Sequence, residues 1–101
     1  MSGRIAFARV NERAMLNAEA VVRGLLPGGR REGLEWVAQN PKRDDHRPGS
    51  FKINLATGKW GEFATGERGG DLVSLAAYVT GLNQRDAAIR LAESLGLDPF
   101  E

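Results

Sequence analysis

Apolar positions follow a helical spacing in two parts of the chain and a two-residue spacing between them. Ala18, Val21, Val22, Leu25 and Leu26 fall at i, i+3, i+4, i+7 and i+8, which predicts a helix with one apolar stripe. Asn17 stands at its N-cap position and Glu19 in its first turn, where negative charge suits the helix dipole. Pro27-Gly28-Gly29 ends it. Before it, residues 1–16 show no clean period. They read as an N-terminal arm in which Ile5, Phe7 and Val10 are compatible with a short strand or a docking arm, and the first few residues with disorder.

The middle of the chain reads as β. Glu35-Trp36-Val37-Ala38 is a short strand candidate. Phe51-Lys52-Ile53-Asn54-Leu55 alternates strictly, Ala56-Thr57-Gly58 is a turn, and Lys59-Trp60-Gly61-Glu62-Phe63 returns as the partner strand. Asn40 to Gly49 reads as a polar loop and Thr65 to Gly70 as a glycine-rich loop. Asp71 then caps a helix carrying Leu72, Val73, Leu75, Ala76 and Val79. Gly81 ends that helix, and Asn83 caps a last one with Ala87, Ala88, Leu91, Ala92 and Leu95 on its buried side. The predicted fold is α+β: an N-terminal helix over 17–29, a small three-stranded antiparallel sheet and a C-terminal αα-hairpin, forming one domain over residues 17–101.

Composition narrows the chemistry. With no cysteine and one histidine, His46, the 101 residues offer no disulfide framework, no thiol nucleophile and no cysteine-ligated zinc site. No apolar run approaches the roughly 20 residues of a membrane span, and the first ten residues lack a secretory apolar core, so a cytoplasmic location is expected. The net charge of +1 hides a gradient: +4 over residues 1–31, 0 over 32–70 and −3 over 71–101. A basic front fits an anionic partner or ordinary scatter.

No catalytic constellation stands out. Asp44-Asp45-His46 puts two acids beside the only imidazole, but neighbours on a Pro/Gly loop rarely converge on one point, and Ser50 and Ser74 lack an identifiable base. Gly66-Glu67-Arg68-Gly69-Gly70 leads into a helix, where free N–H groups can hold a phosphate. It lacks the Lys-Ser/Thr of a nucleotide-binding loop, and Asp71 competes for the same cap. The hairpin and its entry loop carry Lys42, Arg43, His46, Arg47, Lys52 and Lys59 interleaved with Phe51 and Trp60. A cationic groove with aromatic platforms is what single-strand binders use. Alternation places Lys52 and Asn54 opposite Phe51, Ile53 and Leu55, and leaves Trp60 either on the exposed face or in the core.

The stretches "NPKRDDHRPGSFKIN" and "GKWGEFATGERGGDLVSLAAYVTGLNQRDAAIRLAESLGL" resemble the N-terminal zinc-ribbon domain of DnaG-type bacterial, phage and plasmid primases. Pro41, Pro48, Ser50, Phe51, Gly69, Gly70, Asp71, Gly81, Leu82, Ala87, Ala88, Leu91, Ala92 and Gly96 fall where that pattern wants them. Gly-Gly-Asp before an apolar helix, with the Leu-Ala-x-x-Leu-Gly ending, is the specific part. The departure is equally informative. The family's four zinc ligands fall near Asn40, Arg43, Phe63 and Gly66, none of which is a plausible zinc ligand. The resemblance therefore implies a metal-free, cofactor-free ribbon, with Phe63 expected to fill the former metal site.

In that family the domain recognises single-stranded template and is not the polymerising part. The resemblance implies a non-catalytic, single-stranded DNA-binding module of a phage- or plasmid-type primase or replication protein. Arg43, Arg47, Lys52, Lys59, Trp60 and Arg68 are its expected nucleic-acid contacts. The alternative is a protein-interaction module of a mobile element, an inhibitor of a host protein or a replication-partner adaptor, with Asp86, Glu93, Asp98 and Glu101 or exposed aromatics facing a protein.

Overall fold

The computed structural model describes residues 3–42 and 50–101. Along the chain run α1 (Phe7–Met15), α2 (Ala18–Leu25), β1 (Arg30–Glu32), β2 (Glu35–Ala38), β3 (Phe51–Asn54), β4 (Trp60–Glu62), β5 (Arg68–Gly69), α3 (Leu72–Thr80) and α4 (Gln84–Ser94). The fold is α+β, but the sheet has five antiparallel strands in the order β1-β2-β3-β4-β5, not three. The additional strands are the edges. β1 is the charged run Arg30-Arg31-Glu32, exposed throughout, as suits an edge that must not recruit further strands. β5 is two residues long and lies inside the glycine-rich stretch read as a loop.

The N-terminal arm docks on the fold, but most of it is a helix that no clean period had signalled. Residues 7–15 form a helix, with Val10 and Ala14 buried one turn apart. Ile5 bridges to Phe100, Ala6 N donates to Pro99 O at 2.8 Å, and Glu101 N donates to Arg4 O at 3.0 Å. Arg9 Nη1 donates to the carbonyls of Asp98 and Phe100, so the two ends of the described chain are laced together.

Register fixes the faces of the sheet, because directly paired residues point the same way. One row runs Arg31–Trp36–Ile53–Trp60–Gly69 and faces the helices. Each tryptophan in it fastens one helix. Trp36 Nε1 donates to Leu26 O at the end of α2 at 3.0 Å, and Trp60 Nε1 donates to Ser74 Oγ in the first turn of α3 at 3.0 Å. Each indole also lies against a glycine. A Cβ at Gly29 would strike the Trp36 ring, and one at Gly69 would strike Trp60 and come within 2.6 Å of Ser74 Oγ. The Gly-Gly-Asp sequence before α3 thus has a packing cause: Gly69 admits Trp60, and Asp71 caps the helix by accepting from Ser74 N at 2.8 Å.

The core joins Phe51, Ile53, Trp36 and Trp60 of the sheet to Val10, Val22, Leu72, Leu75, Ala88 and Leu91 of the helices. The αα-hairpin forms as expected, with Gly81 in the left-handed region (φ 77°) ending α3 and Asn83 Oδ1 accepting from Asp86 N to cap α4. Asn17 occupies the N-cap position of α2 but makes no side-chain cap hydrogen bond. Among the described residues, no helix is long and apolar enough to cross a membrane.

Candidate nucleic-acid interface

The opposite face of the sheet carries the row Arg30–Val37–Lys52–Gly61–Arg68. Arg30 and Arg68 are exposed, Lys52 is half-buried, and Val37, paired with both Arg30 and Lys52, is buried. Gly61 separates Lys52 from Arg68 and leaves a trough between the two cationic side chains. A Cβ there would meet only ordinary contacts, Glu67 O at 3.8 Å and Arg68 Cβ at 4.0 Å. A groove of about 360 Å³ runs over this surface, lined by Glu35, Lys52, Asn54, Lys59, Gly61, Phe63, Glu67 and Arg68 among others. Among the described residues, no carboxylate lies within ion-pair distance of Lys52, Lys59 or Arg68. Of the groove's three acids, Glu35 stands beside Asn54 and makes no ion pair among the described residues, Glu67 accepts from Tyr78 and Thr65, and Glu62 lies buried on the helix side of the sheet with Oε1 accepting from Ala64 N.

The structure therefore brings Lys52, Lys59 and Arg68 together at one groove. Arg43 and Arg47, like the Asp44-Asp45-His46 triplet, lie outside the described residues. Trp60 is corrected. It is 7% exposed, with its indole N–H committed to Ser74, and its ring stacks on Phe51 at 5.8 Å between centroids. It is core, not a platform. Because strand residues alternate, turning Trp60 inward turns Phe63 outward, and Phe63 is 71% exposed. The expectation that Phe63 plugs a former metal site is overturned with it. Instead its ring lies 5.6 Å from Lys52 Nζ, on the rim of the groove.

At the end of the sheet a polar network ties three segments together. Asn40, only 2% exposed, donates from Nδ2 to Tyr78 Oη at 2.9 Å, and accepts from Lys42 N at 2.9 Å. The Tyr78 hydroxyl donates to Glu67 Oε1 at 3.0 Å, which also accepts from Thr65 Oγ1. Lys42 Nζ lies 4.7 Å from the centre of the Tyr78 ring. Tyr78 in turn packs on Phe51 and Trp60. Burial, followed by smaller effects of the Glu67 hydrogen bond and the charges of Glu67 and Glu62, pushes the phenol above its ordinary range against an opposing hydrogen bond from Asn40. Sequence reasoning missed this network, because the only hint was a lone tyrosine on an otherwise apolar helix face.

Of the positions where the primase-like pattern places metal ligands, the three that are described do not fit zinc. Asn40 is spent on Tyr78 and Lys42, Phe63 points out, and Gly66 has no side chain. Among the described residues, no group of three or more His, Cys, Asp or Glu side chains converges to hold a metal ion. The phosphate site read before α3 is also filled from within. Asn11 Oδ1 on α1 takes the N–H of Val73 at 3.0 Å, and Asp71 takes that of Ser74. Of the acidic tail, Asp98 accepts from Phe100 N, and Glu101 lies 3.8 Å from Arg4. Comparison with family models, with curated proteins and with solved structures yields no match for this chain.

Proposed function

We propose that this protein is a non-catalytic, metal-free module that binds single-stranded DNA, of the kind that recognises template in phage- and plasmid-type primases and replication proteins. The observation that carries the reading is the groove on the helix-free face of the sheet, where Lys52, Lys59 and Arg68 stand without carboxylate partners among the described residues. Uncommitted cations along a groove are what a phosphate backbone recruits, and the counterions that the nucleic acid releases supply the free energy. The likeness to a primase ribbon supports the same reading, as does the sequence of a hairpin, Gly69-Gly70-Asp71 and an αα-hairpin. The Asn40–Tyr78–Glu67 network joins the segments that a zinc ion would join in such a ribbon.

The test is titration of fluorescently labelled single- and double-stranded oligonucleotides at several salt concentrations. Three phosphate contacts predict a slope of about −2 in log K against log salt for the single strand. The double variant Lys52→Glu/Lys59→Glu should lower affinity by tenfold or more at low salt and flatten that slope. Unchanged affinity in this variant would remove the face from the binding site. No detectable binding of single-stranded DNA by the unaltered protein at low salt would transfer the reading to a protein-interaction module.

A further inference from the structure

We infer that Phe63 is the stacking platform for one unpaired base, held at the rim of the Lys52–Lys59–Arg68 groove. This inference rests on the nucleic-acid reading above and adds what the cations cannot supply, a preference for single strands over duplex. Exposed phenylalanines occur singly on many surfaces and need no explanation by themselves. Three features set Phe63 apart. The residue is 71% exposed, so the core gains little from it. It stands beside a cation, Lys52, that faces the same groove as Lys59 and Arg68. Its backbone is fixed: Phe63 N donates to Ser50 O at 2.9 Å, Gly66 N to Glu62 O at 2.8 Å, Glu62 N to Glu67 O at 2.7 Å, and Ala64 N to Glu62 Oε1 at 3.0 Å. The ring is thus presented on a tied turn, and little ordering remains to be done on binding.

The chemistry of the ligand follows. A flat, apolar ring beside an ammonium group suits a nucleobase whose phosphates run past neighbouring cations. A base within a duplex is already stacked on both sides and cannot use the ring. Of the polar side chains lining the groove, Asn54 spends its carbonyl oxygen on Ala56 N and Thr57 N. Stacking uses the flat face that every base has, so the contact is expected to tolerate any base. Phe63 stands where the primase-like pattern places a metal ligand, so this role is not carried over from that pattern.

Three variants test it: Phe63→Ala, Phe63→Trp and Lys52→Glu/Lys59→Glu. Each is titrated with a mixed-sequence single strand and with the matching duplex, after a thermal melt has shown the fold intact. Phe63→Ala should lose about tenfold or more in single-strand affinity. Its salt slope should stay unchanged, because no charge is removed, and its duplex affinity should stay unchanged too. Phe63→Trp should keep the single-strand affinity, and its added indole fluorescence, measured against the unaltered protein, should be quenched by the oligonucleotide. If Phe63→Ala binds single strands normally while the charge-reversal variant does not, the platform is wrong and the groove stands. Equal losses for single strand and duplex would also overturn it, by making Phe63 a backbone contact. If the unaltered protein binds no single strand, the nucleic-acid reading falls and the platform falls with it.

Discussion

At the residue scale, Tyr78 carries the most coupled chemistry in the molecule. Its hydroxyl accepts from buried Asn40 and donates to Glu67, so the network is complete only while the phenol keeps its proton. Removing the hydroxyl in Tyr78→Phe breaks two hydrogen bonds and strands the Asn40 amide, which should cost about 1–3 kcal/mol. The pH dependence has a definite sign. Burial, the Glu67 hydrogen bond and nearby carboxylates raise the folded phenol above its ordinary value, outweighing the opposing Asn40 bond. The folded state therefore holds this proton more tightly than the unfolded chain. The stability it contributes is complete below the ordinary phenol value and is lost as pH rises through the folded one. Urea melts of the unaltered protein and of Tyr78→Phe, compared at about pH 8 and about pH 11, should show their difference shrinking at the higher pH. The difference cancels most of the lysine titration common to both. A constant gap across that range would mean that the hydroxyl is not held as described.

Among the elements, α3 is the hub. It is capped by the adjoining Asp71 and from α1 by Asn11, and it is pinned to β4 through Ser74 and to the network through Tyr78. Asn11 is the only side chain of α1 that reaches a backbone N–H of α3 among the described hydrogen bonds, so Asn11→Ala should behave as a lost cap, with a cost of about 1 kcal/mol. Chemical denaturation reads this directly, and an unmoved midpoint would show that α1 docks by Val10 and Ala14 alone. The elements legible in the sequence were those whose signals are local. The alternation at Phe51–Leu55, the Asp71 and Asn83 caps and the Pro27-Gly28-Gly29 stop each act within a few residues. α1, β1 and β5 were not legible, because each is settled by distant partners. α1 has two buried residues and a clasp to Asp98 and Phe100, β1 has only charged side chains, and β5 exists because Gly69 makes room for Trp60. The same limit applied to the site. Lys52, Lys59 and Arg68 were readable as a basic hairpin. The phase of β4 was not, because Gly61 marks no face and the charged Glu62 points inward, so only the contact of Trp60 with Ser74 across the fold reveals Phe63 as the exposed ring.

For the whole molecule the question is what holds the sheet and helices together if, as proposed, no metal does. In a zinc ribbon, a structural zinc supplies on the order of 10 kcal/mol of folding free energy. On the proposed reading that role is distributed. Two tryptophans bind α2 and α3 to the sheet, α1 and the chain ends close the far side, and Asn40, Tyr78 and Glu67 join segments distant in sequence. Burial of large aromatic and aliphatic side chains is worth roughly 1.5–3 kcal/mol each, so a handful of such contacts matches one ion in size. A fold stabilised in this way has no linkage to metal concentration, because a ligand stabilises only a state that binds it. Excess EDTA should therefore leave the melting temperature unchanged, and added zinc should not raise it. Tyr78→Phe should lower it with or without chelator, by the same amount. A marked fall on chelation, restored by zinc, would place a metal in the fold and refute the distributed account.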